Sequence, residues 1–197
     1  MAQTVVSMNC PKCGAPVTTD QKKCEYCDSP IIISTFNSVY DMPMPQVNKA
    51  AGTYRQALAE NPDHQGLNNS LAMCYLKLKL YDKALPVFEK AMEDNFDNSE
   101  TFFYAAICLL KGQKAFLHQR PTINKILEYI NAALMIEPKG IYYYFLAYIK
   151  YDYFQRKFLI TSPNYREVLN TAIGAGLSQH DVNRLYAILG VPKPDVL

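Results

Sequence analysis

Four of the six cysteines of this 197-residue chain lie between residues 10 and 27. They form two Cys-x-x-Cys pairs, Cys10-Pro11-Lys12-Cys13-Gly14 and Cys24-Glu25-Tyr26-Cys27-Asp28. Two cysteines at this spacing can place both sulfurs on one ion while N–H groups of the turn point at them. Two such turns supply four thiolates in a tetrahedron, the closed geometry of structural zinc, with no open position for a substrate. Gly14 suits the first turn, because a positive φ is free of strain only for glycine. A segment of about 25 residues with little apolar content needs a staple to fold. A metal site contributes on the order of 10–16 kcal/mol of apparent folding free energy to small peptides. The residues predict a structural Zn2+ held by Cys10, Cys13, Cys24 and Cys27. Iron held as in rubredoxin and thiol redox chemistry are the alternatives.

Charge narrows the functional classes. Lys and Arg number 20 and Asp and Glu 18, a formal net charge of +2, which argues against an electrostatic nucleic-acid binder. In the metal-binding head, Lys12, Lys22 and Lys23 balance Asp20, Glu25 and Asp28. Zinc on four thiolates adds negative charge, so the head offers little to a phosphate backbone. Hydrophobic residues make up 49%, enough for a buried core. The longest apolar runs, Thr101–Leu110 and Ile141–Ile149, fall short of the ~20 residues that span a bilayer. The opening Met1–Val6 has neither the basic region nor the apolar core of an export signal. The reading is a cytoplasmic protein in a reducing compartment, with no membrane partner.

Beyond residue 46 a 34-residue period emerges. Ala50, Tyr54, Ala57 and Pro62 return as Ala84, Phe88, Ala91 and Phe96, with Leu71, Ala72 and Tyr75 spaced as a preceding helix. Phe102, Ala105, Ala106 and Leu109 open the next unit. Its second helix, with Ile126, Ile130, Ala133 and Pro138, is displaced by eight residues, which implies an extended loop over 111–121. Tyr144, Ala147, Tyr148 and Tyr151 open a third unit, completed by Tyr165, Leu169 and Ala172 after Pro163. Small residues at fixed positions let paired helices approach, and large ones fill the gaps between pairs. A last helix is expected over Asp181–Leu189, with Ser178 as N-cap and Gly190 as stop. Its Val182, Leu185, Tyr186 and Leu189 make one apolar stripe.

The helix around Val47–Glu60 has no first-helix partner upstream, so its open side needs a cover. The linker and ribbon are the expected cover; a second copy of the chain, in a homodimer, or a protein partner would also serve. Ile31-Ile32-Ile33 reads as a strand closing the ribbon, and Pro43 and Pro45 as breakers of regular structure.

Residues 8–33 resemble the short zinc-ribbon modules that open many bacterial proteins, with Asp28 where that family commonly carries glycine. The 34-residue pattern resembles the tetratricopeptide repeat. Together the resemblances imply a mainly α fold: a TPR-like α-solenoid of about three helical hairpins and a capping helix, preceded by a four-cysteine zinc ribbon. The expected organisation is ribbon 1–33, linker 34–45 and helical domain 46–197. In repeats of this family the first helix of each hairpin lines the ligand groove. Residue by residue, that implies Asn69, Met73, Leu76 and Lys77, then Phe103, Ile107, Leu110 and Lys111, then Tyr142, Phe145, Ile149 and Tyr153. Such a surface suits an apolar or amphipathic peptide, and the Lys and Asn set that clamps C-terminal carboxylates in chaperone-binding relatives is not matched. The competing expectation is a groove filled by the chain's own linker or last helix. The implied function is a non-enzymatic adaptor, scaffold or assembly factor that binds a protein partner. The alternative is a nucleic-acid-associated or transcription-linked regulator acting through the ribbon.

The remaining signals are local. Cys74 and Cys108 share one repeat position and read as buried core thiols. His64, His118 and His180 are isolated and read as surface or turn residues. The basic stretch Lys111–Arg120 carries Phe116 and Leu117 and breaks the period; it reads as a solvated loop tucked by those two residues, with partner contact as the alternative. Glu93-Asp94 falls at a solvated helix end. No phosphate-binding glycine loop or nucleophile motif occurs, so no enzyme is expected.

Overall fold

The computed structural model describes residues 4–93 and 96–197. Asp94, the acid paired with Glu93 in the sequence, and residues 1–3 lie outside the described residues. The chain forms two compact units divided after Phe96. Ribbon, linker and the first helices all belong to the first unit.

The first unit opens with β1 (Ser7–Asn9) and β2 (Pro16–Thr18), antiparallel, with Met8 opposite Val17. Cys10, Val17, Cys24 and Ile31 make its small core, with Met8, Ala15 and Cys27 packed against it. Ile31–Ile33 forms no strand: pairing stops at a single Lys23–Pro30 bridge. The backbone of Ile33 is instead bonded to helix side chains. Four helices follow: α1 (Asn37–Tyr40), α2 (Met44–Glu60), α3 (Gln65–Lys77) and α4 (Tyr81–Met92). Pro43 and Pro45 start α2 rather than break the chain. Pro43 is its N-cap and Pro45 sits in the first turn, where a missing N–H leaves no hydrogen bond unmade.

The open side of α2 is covered from within the chain. Helix α2 packs on α3 on one side and on β1 on another. Tyr54, fully buried, donates its hydroxyl to Ile31 O at 2.8 Å, and Lys49 Nζ donates to Lys12 O at 2.9 Å. Ribbon and linker thus occupy the place of the missing first helix.

The second unit contains two helix pairs and a final helix. Helix α5 (Ser99–Cys108) packs on α6 (Arg120–Ile136), and α7 (Gly140–Ile149) packs on α8 (Tyr165–Gly174). Helix α7 runs on through a π turn, Lys150–Phe154, and a 3-10 turn, Gln155–Lys157. It is apolar all round, with Tyr142, Tyr144, Phe145, Leu146, Tyr148 and Ile149 buried, so it needs neighbours on every side. At its start, a Cβ on Gly140 would stand 2.7 Å from Leu177 N and 2.8 Å from Ala172 O, so only glycine fits there. Helix α8 starts at a reciprocal cap between Asn164 and Glu167. Helix α9 (Gln179–Leu189) is capped by Ser178, which accepts from Asp181 N at 3.1 Å, and ends at Gly190 with φ +69°. The Tyr186 ring stands edge-on to Tyr144 and Tyr148, at 6.2 and 5.9 Å.

The loop that displaces α6 is held by one carboxylate. Asp152, 2% exposed on the π turn, accepts from Phe116 N at 2.9 Å and from Arg156 at 2.5 Å. Arg156 also lies over the Phe116 ring, 4.5 Å from its centroid. Phe116 is therefore the tucked residue, while Leu117 stays exposed.

Candidate functional site

The four cysteines of the ribbon converge. Their sulfurs all lie within 4.8 Å of one another, and the Cys10–Cys27 and Cys13–Cys24 pairs are each 3.7 Å apart. A tetrahedron of thiolates around an ion at about 2.3 Å has edges of about 3.8 Å. The spacing suits an ion and is too long for a disulfide. The two knuckles repeat one hydrogen-bond pattern. Gly14 N donates to Cys10 O at 3.0 Å and Asp28 N to Cys24 O at 2.8 Å. Cys10 N donates to Ala15 O, and Cys24 N to Ser29 O. Gly14 and Asp28 occupy the same left-handed position, at φ +89° and +55°. Aspartate tolerates that region better than most residues, and its carboxylate pairs with Lys23 at 3.1 Å.

The four cysteines are also part of the ribbon's packing. Cys10 and Cys24 are buried in the ribbon core, Cys27 is half-buried and Cys13 is exposed. The Ser29 hydroxyl lies 2.7 Å from Cys27 Sγ, and that bond, with one to the Ser29 backbone, pushes the Cys27 thiol down to about 6. The thiolate is the ligand form. Ser29 escaped the sequence reading because no spacing rule marks it. The four residues can hold a metal ion.

A second constellation lies on α3. Ile33 is gripped from both sides: its N–H donates to Ser70 Oγ at 2.8 Å, and its carbonyl accepts from Asn69 Nδ2 at 2.9 Å. The Ser70 hydroxyl donates onward to Gly66 O, so every bond is satisfied. Farther along, Lys77 Nζ donates to Tyr40 O and stands 4.6 Å from the Tyr40 ring centroid. Met73 is fully buried, as are Ile33 at the end of the ribbon and Phe36 and Val39 of the linker. Gly66 lets the linker approach: a Cβ there would stand 3.3 Å from Ile32 Cγ2. Asn69 and Lys77, assigned by resemblance to a ligand groove, thus bond Ile33 and Tyr40 of the chain itself. The missed partner, Ser70, had a signal: Asn68-Asn69-Ser70 is a polar triplet inside an otherwise apolar helix.

In the second unit the residues assigned to the groove lie inside. Phe103, Ile107, Tyr142, Phe145, Ile149 and Tyr153 are buried, while Lys111 is exposed. The Phe103 ring lies 4.5 Å from Tyr142 and 5.6 Å from Phe145, and Ser99 Oγ bonds the Tyr142 hydroxyl at 3.0 Å. One row of α7 therefore faces α5 while Tyr144 and Tyr148 face α9. A partner reaches the inner row only where a helix moves aside.

The other singled-out residues are structural in placement. Cys74 and Cys108 are buried, and burial pushes the Cys74 thiol up to about 12, far from a thiolate at neutral pH. His64 caps α3, its Nδ1 accepting from Leu67 N at 3.2 Å, and its ring is buried rather than on the surface. His118 is half-buried with Nε2 3.1 Å from Leu110 O, and His180 is exposed.

Residues 46–114, from α2 past α5, match the tetratricopeptide repeat family. No curated protein matches the chain. Among solved structures, MamA of MSR-1 is similar at 18% identity over 77% of this chain and 83% of that one, with a TM-score of 0.47. MamA of AMB-1 is similar at 18% identity over 80% and 85%, with a TM-score of 0.49. The protein has a mainly helical, tetratricopeptide-like fold with a four-cysteine cluster near its N-terminus.

Proposed function

We propose that this protein is a non-enzymatic adaptor that binds a protein partner through its tetratricopeptide-like helices. The metal at Cys10, Cys13, Cys24 and Cys27 is structural zinc. All four donors are thiolates, the set is closed, and two of the four sulfurs belong to buried core residues. Zinc there supplies folding energy, and the chain supplies the thiolates and the turn N–H groups that orient them.

The observation that carries the reading is the two-sided hold on Ile33. Ser70 accepts from the backbone amide of Ile33 and Asn69 donates to its carbonyl, as a peptide-recognition face does. Lys77 binds Tyr40 O, farther along the chain. The partner segment is apolar, with residues like Ile33, Phe36 and Val39, and it binds by exchanging with residues 33–40 of the chain. The test is a pull-down of the tagged full chain from its own lysate, with and without nuclease, beside an Asn69→Ala/Lys77→Ala variant of unchanged zinc content. Stoichiometric protein partners that survive nuclease and are lost in the variant are expected. Partners that remain in the variant would remove α3 from the reading, and partners lost with nuclease would replace the adaptor by a nucleic-acid role.

A further inference from the structure

The cations of this chain are not spread evenly. Residues 111–120 and 150–167 hold seven of its twenty Lys and Arg, but only two of its eighteen Asp and Glu. Of these acids, Asp152 is buried and already bonded, and Glu167 accepts from Asn164 N at 2.7 Å in the cap of α8. The two segments meet in space: Lys157 lies 5.0 Å from the Phe116 ring centroid and donates to His118 O, and Arg120 lies 4.7 Å from the Phe154 ring centroid. The surface where they meet carries more cations than acids, with Asp152 and Asp195 beside Lys114 and Arg156.

From this face projects Phe158-Leu159-Ile160. Phe158 is 93% exposed and Ile160 fully exposed, with Leu117 at 66%. Behind the tip lies a cleft of about 270 Å3, lined by Lys150, Asn164 and Tyr165 beside the three apolar residues. Phe158 takes φ +58° and ψ +30°, the left-handed region that glycine enters without strain and a bulky aromatic does not. Neither the local backbone nor hydration favours a phenylalanine here, so its place calls for another cause.

We propose that this face docks the protein peripherally on an anionic lipid bilayer. Phe158 and Ile160 enter the headgroup–acyl boundary, and Lys114, Lys157 and Arg166 meet the lipid phosphates and carboxylates. The tip is convex and partly aliphatic, which suits a deformable apolar layer. Nucleic acid would stack on Phe158 and leave Ile160 and Leu117 in water. The cationic surround supplies the attraction that so small an apolar tip needs. No described helix is long and apolar enough to cross a membrane, so contact is at the surface.

The chain has no tryptophan, so Phe158→Trp gives one fluorophore at the tip. The full-length variant is floated with vesicles of phosphatidylcholine alone, or with about a third phosphatidylserine, at rising salt. Flotation only with the anionic vesicles, a blue-shifted emission there, and loss of at least about tenfold in binding for Phe158→Ser/Ile160→Ser are expected. Thermal melting of the double variant checks that these exposed changes leave the fold intact. Absent flotation with anionic vesicles would overturn the proposal. So would flotation without an emission shift, or displacement from vesicles by single-stranded DNA that binds the double variant equally well.

Discussion

The two compact units solve the same problem by different means. A short run of helix pairs leaves an open apolar face at each end, and something must cover it. The first unit covers α2 with a ribbon built around four cysteines and with a linker held by polar side chains of α3. The second covers α7 with α9, an amphipathic helix that needs only Val182, Leu185, Tyr186 and Leu189. The first cover is conditional on a metal in the zinc reading, and the second is unconditional. A cell that withdraws the metal would act on one unit and not the other.

The largest expected effect separates them outright. Cys10→Ser, or a strong chelator, should abolish the ordered ribbon, with a loss of several kcal/mol of apparent stability confined to the first unit. Metal analysis with hydrogen exchange resolved by residue checks this. Next comes Phe145→Ala. It removes a fully buried ring that packs on Phe103, and about 3–5 kcal/mol should be lost from the second unit with metal content unchanged. Denaturant titration of the variant measures it.

Smaller changes sharpen the contrast. Asn69→Ala leaves the Ile33 carbonyl buried without its donor, at a cost of about 1–3 kcal/mol to the first unit. Gly190→Ala forces a side chain into φ +69° at the end of α9, and costs the second unit about 1 kcal/mol. The last effect depends on pH. Burial holds the His64 imidazole below its ordinary value of 6.5. The neutral ring is therefore favoured in the folded state. Its contribution is complete above pH 6.5 and is lost as pH falls through the folded value. His64→Asn keeps an N-cap and removes the titration, so melting between neutral and mildly acid pH should flatten by this component.

What the sequence revealed divides along the same line, between local and tertiary causes. The clustered cysteine pairs, the Ser178 cap and the Gly190 stop are written in a few adjacent residues, and α9 begins two residues before its expected start. The linker's place on α3 was not legible. It depends on Ser70 and Asn69 meeting Ile33 from 37 and 36 residues away. The Asp152 clamp is of the same kind, 36 residues from the loop it holds. Pro45 misled because proline breaks a helix interior yet begins a helix well, and only the position of α2 decides which. The repeat resemblance assigned Phe103 of α5 and Phe145 of α7 to a ligand groove, but burial on every side of α7 is set by neighbours far along the chain.

The most direct measurement is the exchange rate of the Ile33 amide in the full chain, with zinc bound and after chelation. Its N–H is held by Ser70 Oγ, one residue pair removed from the ribbon core at Ile31. If the metal staples the cover onto α3, protection at Ile33 collapses on chelation while Phe116 N, held by Asp152, keeps its own. Protection at Ile33 that persists in metal-free protein would contradict that link, and the ribbon would then be an appendage rather than the cover of the helices.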